Sequence, residues 1–129
     1  MSQTLDAIAR RAMIQTVAMI HLANHREDAQ KTDPKVGGHP AACSSAAHIL
    51  TALHCEVRNA HDFLCCKPHA APLDHVLQGM LRVFRDSESG SWFEQDDIED
   101  TLGRLRMFPE EEGQPVLQSY HARTDPDSF

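Results

Sequence analysis

Two histidines stand in proline-flanked loops, His39 in "GGHPAA" and His69 in "KPHAAP". A histidine donates and accepts protons near neutral pH, so two of them on converging loops would serve as acid and base or steady a developing oxyanion. Loops that lead into a helix also turn side chains and backbone N–H groups towards ligands in α/β proteins. The chain holds nine histidines and four cysteines in all, ligands enough for a small metal-binding module, the main rival from another class. Spacing speaks against it. Zinc sites are usually announced by paired ligands such as CxxC or HxxxH; here His21 and His25 make one HxxxH, Cys65 and Cys66 are adjacent, and no CxxC occurs. His21, His25, His48, His54, His61 and His75 are accordingly expected at solvated or core-edge helix positions, and no metal ligand is assigned. The acidic runs "EQDDIED" and "PEEEG" lack the alternating oxygen pattern and turn glycine of a calcium loop.

The elements that must position these histidines follow from apolar periodicity. Leu5, Ile8, Ala12, Ile14, Val17, Ile20 and Ala23 recur broadly at three- and four-residue steps, which predicts an amphipathic helix over 4–24. The polar, Pro/Gly-punctuated run 24–38 predicts a loop ending at His39. Pro40 suits a first helical turn, and "AACSSAAHILTALHCEV" predicts a helix over 41–57 whose first half is nearly all Ala, Ser and Cys. Such small residues leave little apolar area to fold a helix alone and let neighbouring backbones approach closely, so this helix is expected to be packed on more than one side. "HDFLCC" predicts a buried strand over about 62–66. Leu73, Val76, Leu77, Met80, Leu81 and Phe84 share one face of a helix over 73–85, and "FEQDDIEDTLGRLRMF" predicts another over 94–106, acidic at its start and basic near its end. The remainder, 109–129, is polar and aperiodic.

The paired loops bring a family with them. "GGHPAACSSAAHIL", followed thirty positions after its histidine by "KPHAAPLDHVL", resembles the N-terminal region of thiamine diphosphate-dependent enzymes of the transketolase type, including the homodimeric E1 component of pyruvate dehydrogenase. The resemblance covers about residues 1–85. It implies an α/β, helix-rich chain that forms the N-terminal part of a thiamine diphosphate-binding domain, incomplete by itself, with residues 1–129 as one portion of it. It implies that His39 and His69 face the cofactor's reactive carbon and the substrate carbonyl as catalytic and cofactor-binding groups. The family's third histidine lies in a later loop, where His121 in "SYHART" is the one candidate. Lys67 and Pro68 depart from the residues usual before the second histidine.

The same resemblance exposes an absence. The cofactor's diphosphate is held through Mg²⁺ by a GDG motif and a downstream Asn, and no GDG occurs among the six glycines. The end "HARTDPDSF" falls short of the glycine-rich run into the cofactor-binding sheet, as in a split gene, a truncation or an expressed piece. The implied reaction is transferase or oxidoreductase chemistry on a sugar phosphate or a 2-oxo acid, and the choice between ketol transfer and decarboxylation stays open. Its partners are the remainder of the enzyme or a second subunit in a homo- or hetero-oligomer, commonly a dimer, and the isolated chain is expected to be inactive. A non-catalytic helical interaction protein is the second rival.

Composition narrows the field. With 129 residues the chain has room for one core. A net charge of -7 without a Lys/Arg cluster excludes a sequence-independent grip on nucleic acid. Nothing approaches a membrane span. Four cysteines without a secretory signal read as free thiols, mostly buried, in a cytoplasmic protein.

Overall fold

Ser2 begins the first helix: its side chain accepts a hydrogen bond from the Leu5 N–H at 3.2 Å, satisfying one of the backbone donors a helix start leaves open. That helix, α1, runs Gln3–Asn24 and is followed by α2 (His39–Ala52), α3 (Ala71–Met80) and α4 (Gln95–Gly103). The computed structural model describes residues 2–27, 30–32, 35, 39–59, 61–86, 88–107, 113–123 and 125–126. Gly37 and Gly38 of the first histidine loop, Ala60, and the whole run 108–112 are among those outside them.

The buried face of α1 is Leu5, Ala9, Ala12, Thr16, Met19, Ile20 and Ala23. Ile14 and Val17, expected on that face, turn outward instead, Ile14 to 72% exposure. At 100° per residue both fall nearly opposite Ala12, so the looser apolar count had mixed two sides of the helix.

The expectation for α2 holds in its physical content. Cys43, Ala47, Leu50 and Thr51 are buried, and the helix packs against both α1 and α3. Ala47→Leu adds three carbons to a site with no room for them, so a loss of about 1–3 kcal/mol is expected; an unchanged thermal unfolding midpoint would count against this packing. The α-helix stops at Ala52, short of residue 57, and widens into one π turn, Leu53–Val57, closed by Arg58 N–H donating to the Leu53 carbonyl at 2.8 Å.

No strand forms over 62–66, and no strand ladder exists among the described residues; there are isolated bridges, Arg85 with Trp92 and Leu105 with Leu117. The segment keeps a strand's alternation without a neighbouring strand: Leu64 and Cys66 lean on the core while Phe63, 88% exposed, and Cys65 face outward. The chain as described is therefore helix-rich, and the α/β character expected of it is not seen.

α3 is the central element, with every residue from Ala71 to Gly79 buried. It ends at Met80 rather than 85, because Arg82 takes a left-handed φ of 58° and the Val83 N–H donates back to the Gln78 carbonyl at 3.1 Å, closing the helix. Gly79 lets α4 approach: a Cβ there would sit 3.0 Å from Leu102 and 3.2 Å from Ile98. α4 starts with a reciprocal cap between Glu94 and Asp97 and stops at Gly103, three residues early. The expected polar tail is not loose where it is described. Leu117 and Asp125 are buried, and the bridge from Leu117 to Leu105 brings the described residues 118–123 back over α3, with His75 facing the Gln118 carbonyl. Among the described residues, no helix is long and apolar enough to cross a membrane.

Candidate functional site

His39 is the first residue of α2, and His69 sits in the single 3₁₀ turn, Pro68–Ala70, that feeds α3. The small side chain of Cys43, one turn into α2, lets the two elements close on each other; its thiol donates to the His69 carbonyl at 3.4 Å. The rings of His39 and His69 lie 4.7 Å apart, centroid to centroid, tilted by 40°. Tyr120, delivered by the returning tail, stacks on His39 and meets His69 edge-on, each at 5.7 Å.

His39 is buried, and neither of its ring nitrogens makes a hydrogen bond among the described residues. Burial first, then the neighbouring His69, pushes its pKa below the ordinary 6.5, against an opposing pull from the Ser119 backbone. The ring is therefore neutral at pH 7. Because the unfolded chain takes up this proton more readily, folding stability is full above about pH 6.5 and declines as pH falls towards the lowered folded value. Urea unfolding at pH 7 and pH 5 checks this: His39→Gln is expected to lose less stability on acidification than the parent chain, and equal losses would contradict it.

A second cluster lies beside the first. Asp74, in the first turn of α3, is buried, and its carboxylate gathers three side chains. His54 Nε2 lies 2.5 Å from Oδ1, His121 Nε2 2.9 Å from Oδ2, and Gln78 Nε2 donates to Oδ2 at 2.9 Å. Arg58 donates to His54 Nδ1 at 3.2 Å, which leaves the His54 proton on Nε2, facing Asp74. The π turn presents both His54 and Glu56 from one short segment, with the His54 side chain only 2% exposed. Burial alone would raise the Asp74 pKa; the hydrogen bonds from His121 and His54 overcome it and hold the carboxyl well below the usual range.

Asp74, His54 and His121 open onto a cavity of about 780 Å³ whose wall also includes Cys66, Phe63 and Trp92. Tyr120 lines it too and so stands between the cavity and the His39–His69 pair. On the far side of His121, His75 meets the ring at 4.5 Å and Asp125 Oδ2 lies 4.0 Å from Nδ1.

The structure thus brings His39 and His69 together and places His121 with the neighbouring carboxylate cluster. His21, His25, His48 and His61 are exposed, as expected, whereas the His54 side chain and His75 are buried and engaged. Of the cysteines, Cys43 alone is fully buried, its thiol pushed up to about 11 by that burial; Cys55 and Cys65 are exposed. Sequence reasoning missed Asp74, His54 and Tyr120. The apolar periodicity of 73–85 carried no signal for Asp74, which falls well off the face shared by Leu73, Val76 and Leu77 at 100° per residue. No family model, curated protein or solved structure matches the chain.

Proposed function

We propose that this chain is the N-terminal segment of a thiamine diphosphate-dependent enzyme of the transketolase or pyruvate dehydrogenase E1 type. The observation that carries the reading is the approach of two rings thirty residues apart in sequence to 4.7 Å, each at the entry to a helix. That convergence is what the paired loop motifs require. The ring nitrogens of buried His39, which make no well-formed hydrogen bond among the described residues, fit a bound polar group, since such atoms are costly to leave unsatisfied. The diphosphate end finds no fit here, because no GDG is present and the ligands of Mg²⁺ must come from other polypeptide. The exposed Phe63, Trp92 and Leu81, clustered at the cavity, fit a surface that further protein covers.

When bound, the cofactor supplies the carbanion chemistry. His39, kept neutral, accepts a proton at its unprotonated ring nitrogen without first losing one, and the imidazolium so formed returns it. His69 and Tyr120 fix its orientation, and the packing around Cys43 excludes water from that side. The substrate is a ketose phosphate or a 2-oxo acid, and the localisation is cytoplasmic.

Calorimetry tests the reading. The chain alone is expected to bind thiamine diphosphate with Mg²⁺ weakly or not at all, and tight binding is expected when it is mixed with a polypeptide, encoded beside it, that carries the GDG motif. Tight Mg²⁺-dependent binding to the chain alone would overturn the division of labour.

A further inference from the structure

We propose that Cys66, Asp74 and His121 form a binding site for a zinc-class divalent ion in the wall of the cavity, separate from any Mg²⁺ held with a diphosphate. One donor atom from each residue lies within 4.8 Å of the other two. All three residues line the same cavity. A thiolate, an imidazole and a carboxylate make a donor set suited to zinc, and three protein ligands leave the fourth position open to water or a small anion from the cavity.

The geometry needs little change. The His121 Nε2–Asp74 Oδ2 separation is 2.9 Å, slightly under the roughly 3.3 Å that two ligands of one tetrahedral zinc adopt at ordinary bond lengths. Cys66 ends the extended segment 62–66 and leans on the core, with its Sγ within 4.8 Å of the other two donor atoms. Behind the ligands, His54 and Gln78 hold the two oxygens of Asp74, the supporting hydrogen bonds that orient a metal-binding carboxylate. Uptake of the ion releases the Cys66 thiol proton to solvent, and His121 ligates as a neutral imidazole with its proton on Nδ1, which frees Nε2 for the ion.

A rival grouping shares His121. His75, His121 and Asp125 also bring donor atoms within 4.8 Å. His75 and Asp125 are absent from the cavity wall, however, and Asp125 already accepts from the Ala122 N–H at 2.7 Å and the Gln118 N–H at 3.4 Å. The two groupings differ in one decisive respect, the cysteine.

Cobalt(II) titration of the chelator-treated chain separates them. The site is expected to take one equivalent of Co²⁺, with the intense visible bands of four-coordination and a near-ultraviolet thiolate-to-cobalt charge-transfer band, both erased by one equivalent of Zn²⁺. Cys66→Ser is expected to abolish the charge-transfer band, while Cys65→Ser, at the exposed neighbouring position, retains it; circular dichroism reports that each variant is folded. Absence of Co²⁺ binding at millimolar concentration, Co²⁺ binding without a thiolate band, or a band that persists in Cys66→Ser overturns the proposal. The readout involves no thiamine diphosphate, so its outcome is independent of the functional reading above.

Discussion

Replacing Asp74 by alanine is expected to remove about 3–5 kcal/mol of folding stability, a large share of what a domain of this size commonly possesses. The carboxylate holds His54, Gln78 and His121 from a position in the middle of the core, and the His54 side chain is buried with it. Truncation leaves the His54 Nε2–H and the Gln78 amide without an acceptor, and each orphaned buried donor costs about 1–3 kcal/mol. Asp74→Asn keeps an acceptor oxygen while losing the charge, and is expected to fall between the parent and the alanine variant. Chemical denaturation of the three chains at pH 7 gives the comparison; an Ala variant within about 1 kcal/mol of the parent would show that the cluster is not held as described. The pH sign follows from the lowered Asp74 pKa: this contribution is fully present above about 3.8 and is lost as pH falls through the folded value.

If the chain completes a thiamine diphosphate enzyme as proposed, His39→Ala and His69→Ala are each expected to lower the turnover of that assembly by about 10²- to 10⁴-fold, the range for loss of a positioned proton-transfer group. Their effects should fall well short of additive, because rings 4.7 Å apart are in contact with each other. The His121→Ala variant separates the clusters. It leaves the His39–His69 contact intact, so a loss of turnover as deep as that of the pair would move the centre of the chemistry to the Asp74 cluster. Turnover unchanged in both His39→Ala and His69→Ala would remove the catalytic reading.

What was legible in the sequence had local causes. Pro40 after His39 and Pro68 before His69 mark two helix entries, and both histidines are found there. The alanine and serine content of α2 foretold close neighbours on two sides, because small side chains offer little apolar area of their own and let other backbones approach. What was not legible depended on distant partners. "HDFLCC" has strand composition, yet a strand exists only where another pairs with it, and none does among the described residues. The tail lacks periodicity because it packs as an irregular segment, held by Leu117 in the core and by the Asp125 carboxylate accepting from the Ala122 and Gln118 N–H groups. Periodicity is blind to such anchoring, so Tyr120 could not be assigned to the histidine pair beforehand. His54 escaped notice for a related reason: its role comes from a π turn that shifts a helix face locally, a change no 3.6-residue count contains.

The central claim is that buried His39 and half-buried His69 meet ring to ring, and a two-dimensional nuclear Overhauser experiment on the histidine ring protons tests it most directly. The expected result is a cross-peak between the ring protons of His39 and His69, with a second from His39 to Tyr120, assigned through its loss in His69→Ala and Tyr120→Leu respectively. A folded chain showing neither cross-peak, with the His39 ring titrating as an exposed histidine does, would contradict the account.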